Sequence, residues 1–207
     1  MNNLTSSLLK DLTFYKKDNL VYTYVLKNAS TYYSNLLKYN NWDRILYRDI
    51  NFNKHHVFGF IMDPINRYFK GLAEDITNNI NNTEEFFTNN NSNEFIFLSG
   101  HCVPISLTYI DFYKNIDWIP LDIGIESDQF FKKLLEHHGI DFNFDNVFDY
   151  KSTSEKINLY KKLKDMFINN DILHKVLHKD ILLYNSVIEN FNPNGSDWNS
   201  ISWLKKI

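Results

Sequence analysis

Apolar and polar positions alternate along this chain in a pattern typical of strands followed by helices. Three runs of apolar, β-branched and aromatic residues predict buried strands, and they lie at residues 20–26, 56–62 and 117–121. A helical spacing follows each run, at residues 30–39, 64–79 and 126–138. Strands that alternate with helices indicate a mostly parallel sheet covered on both faces. We therefore expect an α/β fold with a doubly wound sheet.

The two ends of the chain predict additional helices. Residues 5–14 predict a helix within an N-terminal extension over 1–19, and residues 154–191 predict two C-terminal helices separated near Asn169. We find no internal repeat and no linker, so we expect a single domain over residues 1–207. Three shorter segments have weaker patterns: a strand over 44–48, a helix over 83–88 and an ambiguous segment over 95–98.

Composition and charge narrow the functional class. The 207 residues carry a net charge of −3 with no basic run, which argues against a general nucleic-acid binder. The single cysteine, Cys102, excludes an internal disulfide and a zinc site built from cysteines. The chain starts without a signal-peptide pattern, and no apolar run approaches the roughly 18 residues of a membrane span. We expect a cytoplasmic protein without membrane contact, and no pattern indicates its oligomeric state.

Two strand-to-helix corners are candidate anion sites. The first is at residues 27–30, and the second is at Asp63 and Pro64, where Asp63 is placed to cap the helix. The first N–H groups of a helix and its dipole favour an anion at such a corner. Two corners in one sheet indicate a ligand with two separated phosphate-like groups. Ser30 and Thr31 are also helix-capping residue types, and capping and phosphate binding use the same first-turn geometry.

Five segments, in chain order, resemble the motifs of the sulfotransferase family that uses 3′-phosphoadenosine 5′-phosphosulfate (PAPS), especially its carbohydrate-directed branch. They are Leu26-Lys27-Asn28-Ala29-Ser30-Thr31, Met62-Asp63-Pro64-Ile65-Asn66-Arg67-Tyr68-Phe69-Lys70, His101-Cys-Val-Pro104, Asp117-Trp-Ile-Pro-Leu-Asp122 and Asp180-Ile-Leu-Leu-Tyr184. The chain departs from the family at Leu26, which replaces a proline, at Met62, which replaces an arginine, and at Lys70, which replaces a serine. The resemblance implies a P-loop-like fold, although the glycine-rich Walker A loop is absent.

The resemblance also implies residue roles in binding PAPS. Lys27 neutralises the charge on the bridging oxygen as the sulfuryl group leaves, and its loop binds the 5′ end through Asn28, Ala29, Ser30 and Thr31. Arg67 and Lys70 bind the 3′-phosphate, with Lys70 compensating as a point charge for the missing arginine. The alternative readings are an exposed loop lysine at Lys27, and a solvated or ion-paired arginine at Arg67.

A sulfuryl acceptor also needs a general base near the attacking oxygen. His101 is our first candidate, because it matches the family segment and follows a possible strand. Asp49 is the second, because it follows a short predicted strand at the carboxyl edge of the sheet. His55 and His56 precede their strand, which places them at the opposite edge. His174 and His178 form an i,i+4 pair of the kind that could bind zinc, but we expect no metal site.

These features favour an enzyme that transfers a sulfuryl group from PAPS to a hydroxyl of a carbohydrate or another small acceptor, directly and without a metal. One alternative is a catalytically degenerate nucleotide- or glycan-binding protein of the same fold, which the methionine at Met62 favours. Another is a phosphotransferase of the wider P-loop class, which the absent Walker A loop disfavours.

Overall fold

The protein has an α/β fold, with one sheet and helices on both of its faces. The computed structural model describes residues 12–79, 101–109, 113–122, 125–145 and 152–191. The strands are β1 (Phe14–Lys17), β2 (Leu20–Thr23), β3 (Asp43–Ile45), β4 (His56–Ile61) and β5 (Asp117–Pro120). The α-helices are α1 (Ser30–Tyr39), α2 (Pro64–Asn79), α3 (Ile105–Thr108), α4 (Ile125–His137), α5 (Ser154–Phe167) and α6 (Asp171–Asn190). Single 3₁₀ turns occupy Tyr47–Asp49 and Tyr113–Asn115.

The five strands form a mixed sheet in the order β3-β1-β2-β4-β5. The pairs β2–β4 and β4–β5 are parallel, whereas β1 is antiparallel to both of its neighbours, β2 and β3. The prediction of a mostly parallel sheet is therefore corrected in one respect, because β1 runs opposite to the other four strands. Residues 14–17 of the expected helical extension form that strand, because a two-residue turn at Asp18 and Asn19 folds them back onto β2. Asp18 adopts a left-handed conformation with φ 53, which aspartate tolerates in turns.

The other elements follow the predicted order with shifted ends. The strands at β2, β4 and β5, and the helices that follow them, are confirmed, although β2 ends at Thr23 rather than at residue 26. The short second strand covers 43–45, and a 3₁₀ turn replaces its expected second half. The two C-terminal helices are confirmed, and they are separated at residues 168–170. The expected elements at 83–88 and 95–98, and residues 5–11 of the N-terminal helix, lie outside the described residues.

Alternating strand residues build a hydrophobic layer on each face of the sheet. On one face, Tyr22, Phe58 and Phe60 pack with Tyr33 of α1 and Phe131 of α4. The other face packs against α3 and α6, and its main residues are Val21, Val57, Ile61, Ile105 and Leu183. A third cluster joins α2, α5 and α6 beside the sheet. Within the described residues, no helix combines the length and the apolar character that crossing a bilayer requires.

A buried charged pair fixes α3 and α6 against α2. Asp180 of α6 is fully buried, and its carboxylate accepts hydrogen bonds from the backbone N–H groups of Ile105, at 2.6 Å, and Ser106, at 2.9 Å. Arg67 of α2 is also buried, lies 3.7 Å from the same carboxylate and donates to the Val103 carbonyl at 2.6 Å. Each charge is therefore compensated inside the protein.

We expect Asp180→Asn to lower the free energy of unfolding by about 3–5 kcal/mol, because it leaves the Arg67 guanidinium buried without a compensating charge. Urea unfolding measures the loss. The exposed Asp165 offers a matched control, and Asp165→Asn should change stability by less than about 0.5 kcal/mol. Equal losses in the two variants would contradict a structural role for the Asp180 charge.

Candidate functional site

A cavity of about 420 Å³ lies beyond the carboxyl ends of β2 and β4. From β2 the chain leads through α1 to β3 on one side, and from β4 it leads through α2 to β5 on the other side. Such a switch point is where ligands bind in open α/β sheets. The cavity wall includes Lys27, Ala29, Ser30 and Thr31, together with Met62, Lys70 and His101. The structure thus brings seven of the residues singled out in the sequence to one place.

The corner between β2 and α1 presents an uncapped helix N-terminus to this cavity. Ala29 occupies the N-cap position with φ 52, so no N-cap side chain bonds the first N–H groups of α1. The first turn carries no acidic residue, and Lys27 also adopts a left-handed conformation, with φ 65. The backbone dipole and a lysine therefore converge where an anion is favoured.

Lys27 contacts a carboxylate that the sequence interpretation missed. Its ammonium lies 2.8 Å from Glu74 Oε2 of α2, and Lys156 of α5 lies 3.1 Å from the same oxygen. Burial alone would raise the pKa of Glu74, but hydrogen bonds from the two lysines outweigh it and lower that pKa to about 2. Glu74 follows Lys70 by four residues, so helical periodicity places both on one face, a signal that was open to sequence reasoning.

His101 pairs with the next residue of α2. Its Nδ1 atom is hydrogen-bonded to Oδ1 of Asp75, a buried carboxylate, and the imidazole lies at the cavity wall with 31% of its side chain exposed. Gly71 makes this approach possible, because a Cβ atom there would lie 2.4 Å from the His101 carbonyl oxygen. The arrangement orients an imidazole towards acid–base work, as carboxylate–histidine pairs do in hydrolases.

The corner between β4 and α2 differs from the first corner. Asp63 caps α2 as predicted, because its Oδ1 accepts the Asn66 N–H at 2.7 Å. A second carboxylate, that of Asp122, accepts the Asp63 N–H at 2.6 Å. Two carboxylates of the protein thus occupy this helix N-terminus, and they leave no favourable place for an external anion there.

The residues expected to bind the second phosphate divide into two groups. Arg67 is buried against Asp180 and is absent from the wall of this cavity. Met62 and Lys70 do line it, and the Lys70 ammonium lies 3.9 Å from Met62 Sδ. A second anionic group in the cavity would therefore meet the Lys70 ammonium rather than the Arg67 guanidinium.

Two other predicted site residues lie away from the cavity wall. Asn28 is fully buried, and its Nδ2 donates to the Phe60 carbonyl at 2.8 Å, which fastens the corner to β4. Asp49 follows β3 at the far edge of the sheet, where its exposed carboxylate accepts the Leu46 N–H at 3.2 Å. Asn28 thus supports the corner from within, and the structure does not bring Asp49 together with Lys27.

The other described histidines are absent from the cavity wall. His56, at the opposite edge of the sheet, contacts Asp117 at 2.5 Å and His138 at 2.8 Å. Burial and the adjacent His56 and His137 rings lower the pKa of His138 to about 4. His174 Nε2 bonds the Ile168 carbonyl at 2.6 Å.

In the part of the chain that the structure describes, no three His, Cys, Asp or Glu side chains are grouped so as to hold a metal ion.

Helix α5 forms a further part of the cavity wall, and the sequence did not indicate this role. Its cavity-lining residues are Lys156, Ile157 and Tyr160. The Tyr160 hydroxyl and the Lys164 ammonium each donate to Asn66 Oδ1 at 2.8 Å, which fixes α5 to α2. The C-terminal third of the chain therefore contributes part of the cavity wall.

No protein-family model, no curated protein and no solved structure matches this chain. What the cavity can bind therefore follows from its own groups. It combines an uncapped helix N-terminus, three lysines and an oriented imidazole at the ligand-binding edge of the sheet. These groups can hold an anion and accept a proton beside it.

The pKa of Glu74 predicts a pH dependence of stability. The pKa of Glu74 is about 2 in the folded protein and 4.5 for the ordinary group. The ionised Glu74 carboxylate and its two lysine partners therefore stabilise the fold above about pH 4.5. We expect a contribution on the order of 2–3 kcal/mol at neutral pH, lost as the pH falls from about 4.5 towards 2. Urea unfolding from pH 7 to pH 2.5 should show wild type and Glu74→Gln converging in acid.

Exposed Glu136 of α4 provides the matched control, and Glu136→Gln should track wild type at every pH. A gap between wild type and Glu74→Gln that stays constant down to pH 2.5 would contradict the assigned pKa.

Proposed function

We propose that this protein is a sulfotransferase-like enzyme with a P-loop-like site, which transfers a sulfuryl group from PAPS to a hydroxyl of a carbohydrate or another small acceptor. The observation that carries the proposal is the meeting of Lys27, the N-terminus of α1 and His101 in one cavity. His101 is remote in the sequence from Lys27 and the start of α1, and each of the three would supply a different requirement of the transfer. An oriented base beside an anion corner favours group transfer over simple anion storage.

Two groups of the cavity wall support binding of the two charged parts of the donor. The 5′-phosphosulfate would bind at the first turn of α1, against the N–H groups of Ser30 and Thr31 and the ammonium of Lys27. The 3′-phosphate would bind near Lys70, the cation that follows one helical turn after the buried Arg67. A volume of about 420 Å³ lies within the range of small-molecule sites.

The chain's own residues would carry the proton and the charge of the reaction. PAPS supplies an activated sulfuryl group when bound. His101 accepts the proton of the acceptor hydroxyl through Nε2, since Nδ1 is bonded to Asp75, and the Asp75 carboxylate stabilises the imidazolium. Lys27 stabilises the negative charge that develops on the phosphate oxygen as its bond to sulfur breaks. Transfer is direct, from one oxygen to the other.

A second candidate is a nucleotide- or glycan-binding protein that has the same site but no catalytic activity. The observation that favours it is the state of the second corner, where Asp63 caps α2 and Arg67 is buried against Asp180. In this case one anionic group of the ligand binds at the N-terminus of α1, and Lys70 is the one residue that binds the second anionic group. Nucleotide affinity and turnover distinguish the two candidates.

The spent donor, 3′-phosphoadenosine 5′-phosphate, should bind wild type in a calorimetric titration. Because a charge-assisted contact contributes about 1.5–3 kcal/mol, Lys27→Met should weaken binding by about ten- to a hundredfold. Lys54 is exposed and remote from the cavity, so Lys54→Met is the matched control with unchanged affinity. Absence of wild-type binding at millimolar nucleotide would refute the proposal.

Removal of the base should affect turnover rather than donor binding. We expect His101→Ala to lower the rate of sulfuryl transfer from PAPS by about 10²–10⁴-fold, with nucleotide affinity little changed. Asp75→Asn should lower the same rate, because it removes the carboxylate that orients the ring. The exposed His178 gives a matched control in His178→Ala. Full activity in His101→Ala, with loss in Asp49→Asn, would transfer the role of base to Asp49.

A further inference from the structure

Glu74 occupies a position inside the cavity that an anionic ligand would need. Among the described residues that line the cavity, it is the one carboxylate, and it lies between two lysines at 2.8 Å and 3.1 Å. Its side chain is 17% exposed, and those of Lys27 and Lys156 are 18% and 20% exposed. The rest of the polar wall favours negative ligands, through Lys70 and the N-terminus of α1.

An anion that binds Lys27 must take this lysine from Glu74. A carboxylate left in a largely buried position without a counter-charge is strongly unfavourable. Lys156 removes this obstacle, because it already contacts the same oxygen, Glu74 Oε2. After Lys27 turns to the ligand, Glu74 keeps one ion pair, so the exchange leaves no isolated charge.

Lys156 is placed for this role independently of any ligand. It lies in the first turn of α5, where its backbone N–H donates to Thr153 Oγ1 at 3.3 Å. Helix α5 is itself fixed to α2 by Tyr160 and Lys164, which both bond Asn66. Release of Lys27 therefore does not detach the second lysine from Glu74.

We propose that Glu74 is an internal competitor that makes the cavity selective for multiply charged anions, and that Lys156 is the positioning residue that permits the exchange. A singly charged anion offers Lys27 no more charge than Glu74 does, and Glu74 has the advantage of being held nearby by the chain. A phosphate-anhydride group engages Lys27, Lys70 and the first turn of α1 together. This inference rests on the anion site of the proposed function and adds its charge selectivity.

Inorganic pyrophosphate is the probe, because it carries the multiple charge without a nucleoside. In calorimetry at neutral pH, Glu74→Gln should bind pyrophosphate about tenfold more tightly than wild type, since one competing charge contact is lost. The same variant should also bind nitrate, a singly charged anion, at concentrations where wild type does not. Glu74→Asp, whose shorter side chain reaches Lys27 less well, should shift pyrophosphate affinity in the same direction.

Lys156 is tested by a double-mutant cycle. Lys156→Met should weaken pyrophosphate binding about tenfold in wild type and by less than about threefold in the Glu74→Gln background, because its effect passes through Glu74. Lys156→Arg, which keeps a positive charge at this position, should bind pyrophosphate with wild-type affinity. Lys161 on the exposed side of α5 supplies the control Lys161→Met, and Glu136→Gln supplies the control for Glu74.

The outcomes separate this inference from the proposed function. Unchanged or weaker pyrophosphate binding in both Glu74 variants overturns the inference, even if the nucleotide binds wild type well. An equal loss on Lys156→Met in both backgrounds overturns the role of Lys156. If pyrophosphate shows the expected pattern and 3′-phosphoadenosine 5′-phosphate does not bind, the competitor role stands and the sulfotransferase proposal fails.

Discussion

The geometry of the site depends on two consecutive carboxylates of one helix. Glu74 is bonded to Lys27 and Asp75 to His101, so α2 connects the corner after β2 with the segment before α3. Neighbouring residues of a helix point in directions about 100° apart, which lets one carboxylate face the cavity while the other is buried. Gly71 allows the His101 backbone to approach α2 closely, because any side chain at residue 71 would displace that backbone. One rigid helix therefore determines where a cation and an imidazole stand relative to each other.

The two strand-to-helix corners show how a single residue decides whether a helix end is open to a ligand. Ala29 at the start of α1 offers no side-chain oxygen, so the first N–H groups stay open. Asp63 at the start of α2 supplies its own carboxylate, and Asp122 adds another. The dipole is the same in both helices, but only the first corner can recruit charge from outside. An asymmetric site results, with backbone donors at one end and the Lys70 ammonium at the other.

Local pattern predicted the α/β class and most element positions. The rule that ligands bind at the carboxyl edge of the sheet agrees with the position of Lys27 at the cavity. His101 also lines this cavity, but the strand expected before it lies outside the described residues. Local pattern missed β1, because a four-residue strand owes its pairing to a tight turn and to β3, which lies far along the chain. It also missed Glu74, Asp75 and Lys156. The spacing of Glu74 from Lys70 was visible in the sequence, but charged residues on a helix resemble a solvated face until their partners are known. The burial of Arg67 could not be predicted from local pattern for a similar reason, because it depends on Asp180 in α6.

The residues that line the cavity are synthesised at different times, and those of α5 come last among the described ones. The corner after β2, α2 and His101 emerge from the ribosome first, whereas Lys156 and Tyr160 follow much later. Before α5 and α6 pack on α2, the apolar side of α2 lacks its cover and the cavity has no outer wall. A nascent chain that ends before α5 therefore carries Lys27, Lys70 and His101 without the cavity-wall residues of α5. Synthesis of α5 is thus the event that supplies the second ion pair of Glu74, because Lys156 lies in the first turn of this helix.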